Sequence, residues 1–387
     1  MRVRLGSERL LDSPALDGRR VGVICNPASV DHELRHIADR LAAHPRARLS
    51  ALFGPQHGFR SDVQDNMIET GHARDAIRKV PVYSLYSETR EPTAEMLRDL
   101  DVLVIDLQDV GVRIYTYIYT MANCLRAARR HGVPVVVCDR PNPIGGLAVE
   151  GMVLRPGHES FVGMYPIPMR HGMTIGEVAK LFNEHFAIGA DLEVVPLDGW
   201  RREMHFDDTG LTWIMSSPNI PTFDTTTVYP GAVLFEGTNI SEGRGTTRPF
   251  EFVGAPWIVA ERFSDAMNRQ ELPGAFFRPI VFEPTFHKHA RQACGGCQIH
   301  VRDRQRFRPV AVAVALISAF RATEPAKFKW KDPPYEYEHE RTPIDVLSGS
   351  TELREQIEGG VTPAEIARSW EKDVAEFEKI RKRFLMY

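Results

Sequence analysis

Cysteine is scarce in this chain of 387 residues: Cys25, Cys124, Cys138, Cys294 and Cys297 are the five. So few, so scattered, exclude a disulfide framework. Long apolar runs are missing too. The longest uncharged one, Val310–Phe320, is far short of the about 20 residues a membrane span needs. Charge of one sign accumulates nowhere. Lys plus Arg number 48 against 51 Asp plus Glu, a net −3 without like-charge blocks. Nucleic-acid binding normally needs a basic stripe, so it is not expected, nor is membrane insertion. The first twenty residues hold no continuous apolar core, so no signal peptide and a cytoplasmic location are expected. No GxGxxG, GxxxxGK[ST] or GxSxG occurs, which removes the fingerprints of dinucleotide, P-loop and α/β-hydrolase sites.

What is present reads as a mostly parallel, Rossmann-like α/β domain. Apolar runs at Val21–Cys25, Leu49–Phe53, Val80–Leu85, Val102–Leu107 and Val133–Cys138 suit strands buried on both faces. Helical patterns at Asp31–Ala43, Thr93–Leu100 and Tyr115–His131 alternate with them. A capping box, Thr174 with Glu177, opens a further helix, and Leu192–Leu197 reads as a strand. Residues 210–256, rich in Gly, Pro, Thr and Asn, read mostly as ordered loop. Beyond them come a helical pattern (Ile258–Leu272), strand-like runs (Arg278–Phe282 and Gln298–Val301) and three helical stretches. The expected division is 1–260 for the Rossmann-like domain and 261–387 for a smaller C-terminal α/β domain, with the boundary near 256–275.

Ligands of open α/β sheets bind outside the carboxyl ends of the strands. The residues there are polar after every strand. They include Asn26 and Ser29, then Gln56, His57 and Arg60, then Glu88 and Arg90, then Asp106, Gln108 and Asp109, and finally Asp139, Arg140 and Asn142. Such convergence points to a polar active site, although Asp106 and Asp109 could equally bond turn amides and Glu88 could pair with Arg90. Glu150 follows a Gly-rich loop, and Glu242 with Arg244 sits in a Gly/Thr loop that reads as a clamp or a surface excursion. Tyr115, Tyr117 and Tyr119 alternate at a helix start, as core residues or as a platform for a sugar ring.

Two motifs read as decoys. His32-Glu33-Leu34-Arg35-His36 matches HExxH, but the metzincin extension is absent and the helix falls where α/β helices pack on the sheet. Cys294-Gly295-Gly296-Cys297 has no second CxxC and reads as a turn entering a strand. No metal or organic cofactor is expected.

The segments ICNPASVD, ALFGPQHGFRSD, PVYSLYSETREPTAEML, DVLVIDLQDVGVRIYTYIYTM, DRPNPIGG, PIPMRHGMTIGE, SSPNIPT, LFEGTNISEGRGTTRPFEFVGAPW and YEYEHERTPIDVLSGS resemble the NamZ (YbbC-like) exo-β-N-acetylmuramidases from about residue 20 to the C-terminus. The resemblance implies an enzyme that releases N-acetylmuramic acid from the non-reducing end of peptidoglycan fragments, in a cleft between two domains. Many relatives carry Glu where this chain has Gln56, so an obligatory carboxylate is not expected at 56. Glycoside hydrolysis usually employs two carboxyl groups. Strengthened by the resemblance, the reading selects Glu88, as the acid, and Glu150. Asp106 or Asp109 would orient the 2-acetamido group if that group attacks the anomeric carbon. Arg60, Arg113, Arg140 and Arg244 are candidates for the lactyl carboxylate. His57, His171 and Asn219 would bond sugar hydroxyls. The rivals are a non-catalytic binding protein for anionic amino sugars, a transferase or lyase, and a zinc peptidase on His32 and His36.

Overall fold

The computed structural model describes residues 2–64 and 67–387. Its centre is a seven-stranded sheet in the order β3-β4-β2-β1-β5-β6-β9. These strands are β1 (Arg20–Ile24), β2 (Arg48–Gly54), β3 (Ala73–Arg74), β4 (Pro81–Ser84), β5 (Val102–Ile105), β6 (Val135–Cys138) and β9 (Leu192–Val195). All pair in parallel except the short edge strand β3. The chain runs from β1 outward to β4, then returns to β5 on β1's other side. The topological switch therefore lies between β1 and β5, where a ligand crevice forms in such sheets.

The apolar runs become strands because both faces of the sheet are covered. Ile24, Phe53, Leu103, Ile105, Val135 and Val137 pack with the helices Tyr117–His131 and Ile175–Lys180. Their neighbours Val23, Leu52, Val102, Val104 and Val136 pack on the opposite face with Gly6–Leu11 and Ile37–Ala42. Period-two alternation sends successive side chains to the two layers. Tyr117–His131 ends on Gly132 at φ 68°, with Arg129, Arg130 and His131 in its last turn, where cations suit the helix dipole. The expected Thr174–Glu177 capping box is present.

A hairpin, β7 (Glu150–Val153) with β8 (Pro168–Arg170), leads from this sheet toward the second half. There a three-stranded antiparallel sheet runs β10-β12-β11, formed by β10 (Phe252–Ala255), β11 (Ala275–Phe282) and β12 (Cys294–Val301). Five helices finish the chain, at Pro309–Thr323, Pro343–Ser348, Glu352–Glu358, Pro363–Ser369 and Glu371–Arg381.

Several local expectations are corrected. The helix expected over Asp31–Ala43 begins only at Ile37, because Asp31 accepts from the Glu33 and Arg35 amides and holds a turn with Leu34 at φ 61°. Residues 210–256 are not mainly loop. They hold a helix, Phe223–Ala232, capped by Thr222 and continued by a 3₁₀ turn, Val233–Gly237, then β10. The β-branched TTTV and Pro230 disguised that helix, whose form is imposed by packing on Pro309–Thr323. A Cβ on Gly231 would stand 1.9 Å from the Pro309 carbonyl oxygen. The Cys294–Cys297 segment is no turn but the start of the central strand β12. There a Cβ on Gly296 would meet the Val253 oxygen at 1.9 Å.

Candidate active site

A narrow cavity opens between the two halves. The first half contributes Gln56, His57, Tyr115, Thr116 and Tyr117, from loops that follow β2 and β5. The second contributes Tyr229, Glu236, Arg244, Phe250, Tyr335 and Glu336. The loop after β2 turns back sharply, and a Cβ on Gly54 would lie 2.4 Å from the Phe59 amide nitrogen. That reversal brings Gln56 and His57, the latter at φ 69°, to the wall.

Two buried carboxyl groups face this space in opposite electrostatic settings. Glu336 is 3% exposed; its Oε1 accepts from Gln56 Nε2 at 3.2 Å and its Oε2 from the Tyr86 hydroxyl at 3.0 Å. Burial pushes its pKa up to about 7, and the negative charge of Glu236 adds to the rise. Glu236 is buried as well, but it lies below the usual carboxylate range. Burial alone would raise it, and the Arg244 guanidinium reverses the sign. Arg244 donates to Glu236 Oε1 through Nη2 at 2.5 Å and Nε at 3.2 Å, and the Tyr335 hydroxyl donates to Oε2 at 2.6 Å. Two carboxyls on a single cavity, one raised to about 7 and one held ionised, are the provision for acid and base chemistry at neutral pH.

Behind Arg244 stands Glu242, with its Oε1 3.4 Å from Arg244 Nε. Glu242 accepts from Lys288 Nζ at 2.7 Å, and His287 Nδ1 lies 3.1 Å away. The Lys288 charge, the His287 hydrogen bond and the Arg244 charge hold Glu242 well below the carboxylate range against its burial. Arg244 is thus fixed from both sides, with Phe250 under its guanidinium at 5.2 Å.

Of the residues selected from sequence, His57, Tyr117, Asn219 and Arg244 line this cavity. Asn26 supports it from beneath, donating to the Tyr117 hydroxyl at 2.8 Å and to the Ser216 carbonyl at 2.7 Å. The proposed pair Glu88 and Glu150 is not brought together there. Glu88 has a 73% exposed carboxylate 3.2 Å from His72, and its own amide and the Ser87 hydroxyl hold its pKa down. That is the wrong direction for an acid. Glu150 is buried, with burial raising its pKa to about 7. It lines a different hollow, however, beside Arg308 and Trp370, that shares no residue with the cavity.

The remaining candidates are engaged in holding the fold. Asp106 and Arg140 form a buried two-bond ion pair at 2.6 and 2.9 Å. Asp109 accepts from the Gly111 amide and lies 3.2 Å from the buried His171 ring. Asn142 bonds the Met173 carbonyl and the Ile144 amide. Arg113 is fully buried and donates to the carbonyls of Met152, Ile167, Leu347 and Ser348. Arg60 is exposed on a hollow at the sheet edge. In the HExxH segment His32 bonds Glu8, whereas His36 bonds the Asn26 carbonyl and precedes the helix. Of the tyrosine trio, Tyr119 is a core residue stacked on Phe182, while Tyr115 and Tyr117 reach the cavity.

Glu236 and Glu336 escaped the sequence reading. They lie in LFEG and YEYEHE, outside any strand end of the central sheet. A signal did exist in the second block, where carboxyl and aromatic residues alternate.

Two family models together cover the chain from residue 21. The N-terminal domain of exo-β-N-acetylmuramidase NamZ matches residues 21–224 and its C-terminal domain residues 227–387. The peptidoglycan β-N-acetylmuramidase NamZ of Bacillus subtilis (strain 168) is 46% identical over 388 aligned residues, covering 100% of this chain and 92% of that protein. Two crystal structures of DUF1343-family proteins from Bacteroides fragilis NCTC 9343 cover all of this chain and 99% of their own. Their TM-scores are 0.90 and 0.77, at 36% and 27% identity. With both halves matched in order, and both supplying walls to one cavity, the chain belongs to the exo-β-N-acetylmuramidase NamZ family.

Proposed function

We propose that this protein is an exo-acting glycoside hydrolase of peptidoglycan fragments. It removes N-acetylmuramic acid, β-1,4-linked to N-acetylglucosamine, from the non-reducing end during cell-wall turnover. The observation that carries the reading is the pairing, on one cavity, of a buried carboxyl raised to about 7, Glu336, with one held below the usual carboxylate range, Glu236. Hydrolysis of a glycoside requires that combination: a proton for the leaving oxygen and a negative group for the anomeric carbon or its attacking water. The Tyr115 and Tyr117 rings, 4.7 Å apart by centroid and inclined at 63°, add an aromatic element to the wall.

The test is time-resolved mass spectrometry of the purified protein with the defined disaccharide. Free N-acetylmuramic acid, gaining one water across the two products, is the expected outcome. Intact disaccharide despite measurable binding would favour a non-catalytic binding protein instead.

A further inference from the structure

The hydrogen bonds around Glu336 have a direction. Thr116 donates to Gln56 Oε1 at 2.6 Å, which turns the Gln56 amide nitrogen toward Glu336 and Tyr86. The Tyr86 hydroxyl accepts from Gln56 Nε2 and from the Met67 amide, each at 3.2 Å, so its own proton goes to Glu336. Each carboxyl oxygen of Glu336 therefore receives a proton from the protein side. Neither Gln56 nor Tyr86 offers an acceptor in return, and the proton of the neutral acid is left to face the cavity.

The backbone is arranged for the same end. Glu336 and Tyr337 lie at φ 47° and 67°, a conformation unfavourable for side chains of this size and one that clusters at functional sites. Paired 2.9 Å bonds between Tyr335 and Glu338 close the turn. Arg341 secures Glu338 at 2.8 Å, and the Arg90 guanidinium lies 4.2 Å from the Tyr86 ring and 4.6 Å from the Tyr337 ring.

Resting on the hydrolase reading above, we infer that Glu336 is the catalytic acid that protonates the departing sugar oxygen, with Gln56 and Tyr86 as its positioning residues. In the step, the bond between the anomeric carbon and the glycosidic oxygen breaks. Its electron pair stays on that oxygen, which takes the Glu336 proton, and Glu336 is left as a carboxylate. Water then supplies hydroxide to the anomeric carbon and a proton back to the carboxylate. The two inward donors strengthen as charge develops on Glu336, so the arrangement favours the transition state. A pKa of about 7 keeps a large share of the acid protonated in neutral solution, where an ordinary carboxyl is almost fully ionised.

The experiment compares wild type, Glu336→Gln and Gln56→Leu on two substrates. One is the disaccharide; the other is an aryl β-N-acetylmuramide whose dinitrophenolate leaves without protonation, read as phenol release in a single turnover. Glu336→Gln should lower disaccharide kcat/KM by about 10²–10⁴-fold while aryl cleavage falls less than about tenfold. It should also abolish the fall of activity on the alkaline side of pH 7. Gln56→Leu keeps the acid and removes a donor that lowers its pKa, so that alkaline limb should move to higher pH. Equal losses on both substrates, an alkaline limb that survives in Glu336→Gln, or an unmoved limb in Gln56→Leu would overturn the assignment. A wild type inert toward both substrates would instead sink the hydrolase reading, and this inference with it.

Discussion

Arg244 is one guanidinium between two buried carboxylates, and its charge decides the protonation of Glu236. The sign follows directly. Burial favours the neutral acid; the adjacent cation favours the anion and wins. Arg244→Gln removes the cation, so the Glu236 pKa rises and the acidic limb of the kcat/KM profile is expected to move to higher pH. Breaking a buried pair also costs about 3–5 kcal/mol of stability, readable as a lower urea midpoint. An unchanged acidic limb in a folded variant would show that Glu236 is not the ionised partner. At this scale the sequence was half legible. His57, Tyr117, Asn219 and Arg244 were found because polar residues beside glycines mark close approach. Arg113, Asp106, Arg140 and Asn142 looked identical in the sequence, yet they bond carbonyls, amides and one another. The edge of a sheet needs polar groups both to bind ligands and to satisfy its own backbone. The alternation in YEYEHE marks the block that holds Glu336 but not its role, since its partner Gln56 is distant in the chain and the contact exists only after the halves assemble.

Among elements, buried strands were the most legible, because a run such as VLVI permits few other fates between two helical layers. The helix Phe223–Ala232 was the least, since tertiary packing overrode a sequence of β-branched residues and proline. The start of Pro309–Thr323 shows a different dependence. Its Ala311 amide donates to Glu150 Oε1 at 2.8 Å, while Glu150 Oε2 is buried without a hydrogen bond. The folded-state pKa of Glu150, about 7, is above the unfolded value of about 4.3. Between those values the folded protein holds a proton that the unfolded chain has lost, so stability falls as pH rises through this window. Glu150→Gln cannot ionise. Relative to wild type, its stability is expected to gain by about 1.4 kcal/mol per pH unit from about pH 4.5 to 7 and then level off. Denaturant melts across that range check it, and a constant difference would place the Glu150 titration elsewhere. Because this hollow shares no wall with the cavity, sugar release should survive the substitution.

At the scale of the molecule, the question is whether two matched domains behave as two folding units. The structure argues for one. A single apolar cluster runs from Ile24 through Phe235 and Phe320 to Phe384. The last residue, Tyr387, donates to Asp139 at the end of β6, at 2.7 Å, and Arg381 donates to the Gly146 and Gly172 carbonyls. Arg113 is the sharpest link, since the same guanidinium bonds carbonyls of the hairpin and the last two carbonyls of the helix Pro343–Ser348. Burial alone would favour losing its proton, and it lowers the pKa to about 10, so the group is still charged at neutral pH. Arg113→Met fills much of the volume but leaves buried carbonyl oxygens unpaired on both sides. Each such loss carries about 1–3 kcal/mol, so with four carbonyls a destabilisation of at least about 4 kcal/mol is expected. The decisive readout is the shape of the calorimetric transition. If the halves are one unit, wild type melts in one step with matching calorimetric and van't Hoff enthalpies, and the variant melts lower, still in one step. If they are two, the substitution should split the curve, with the N-terminal sheet outlasting the C-terminal helices. A cavity whose acid and base both come from the second half, and whose positioning amide comes from the first, can be active only while the two remain joined.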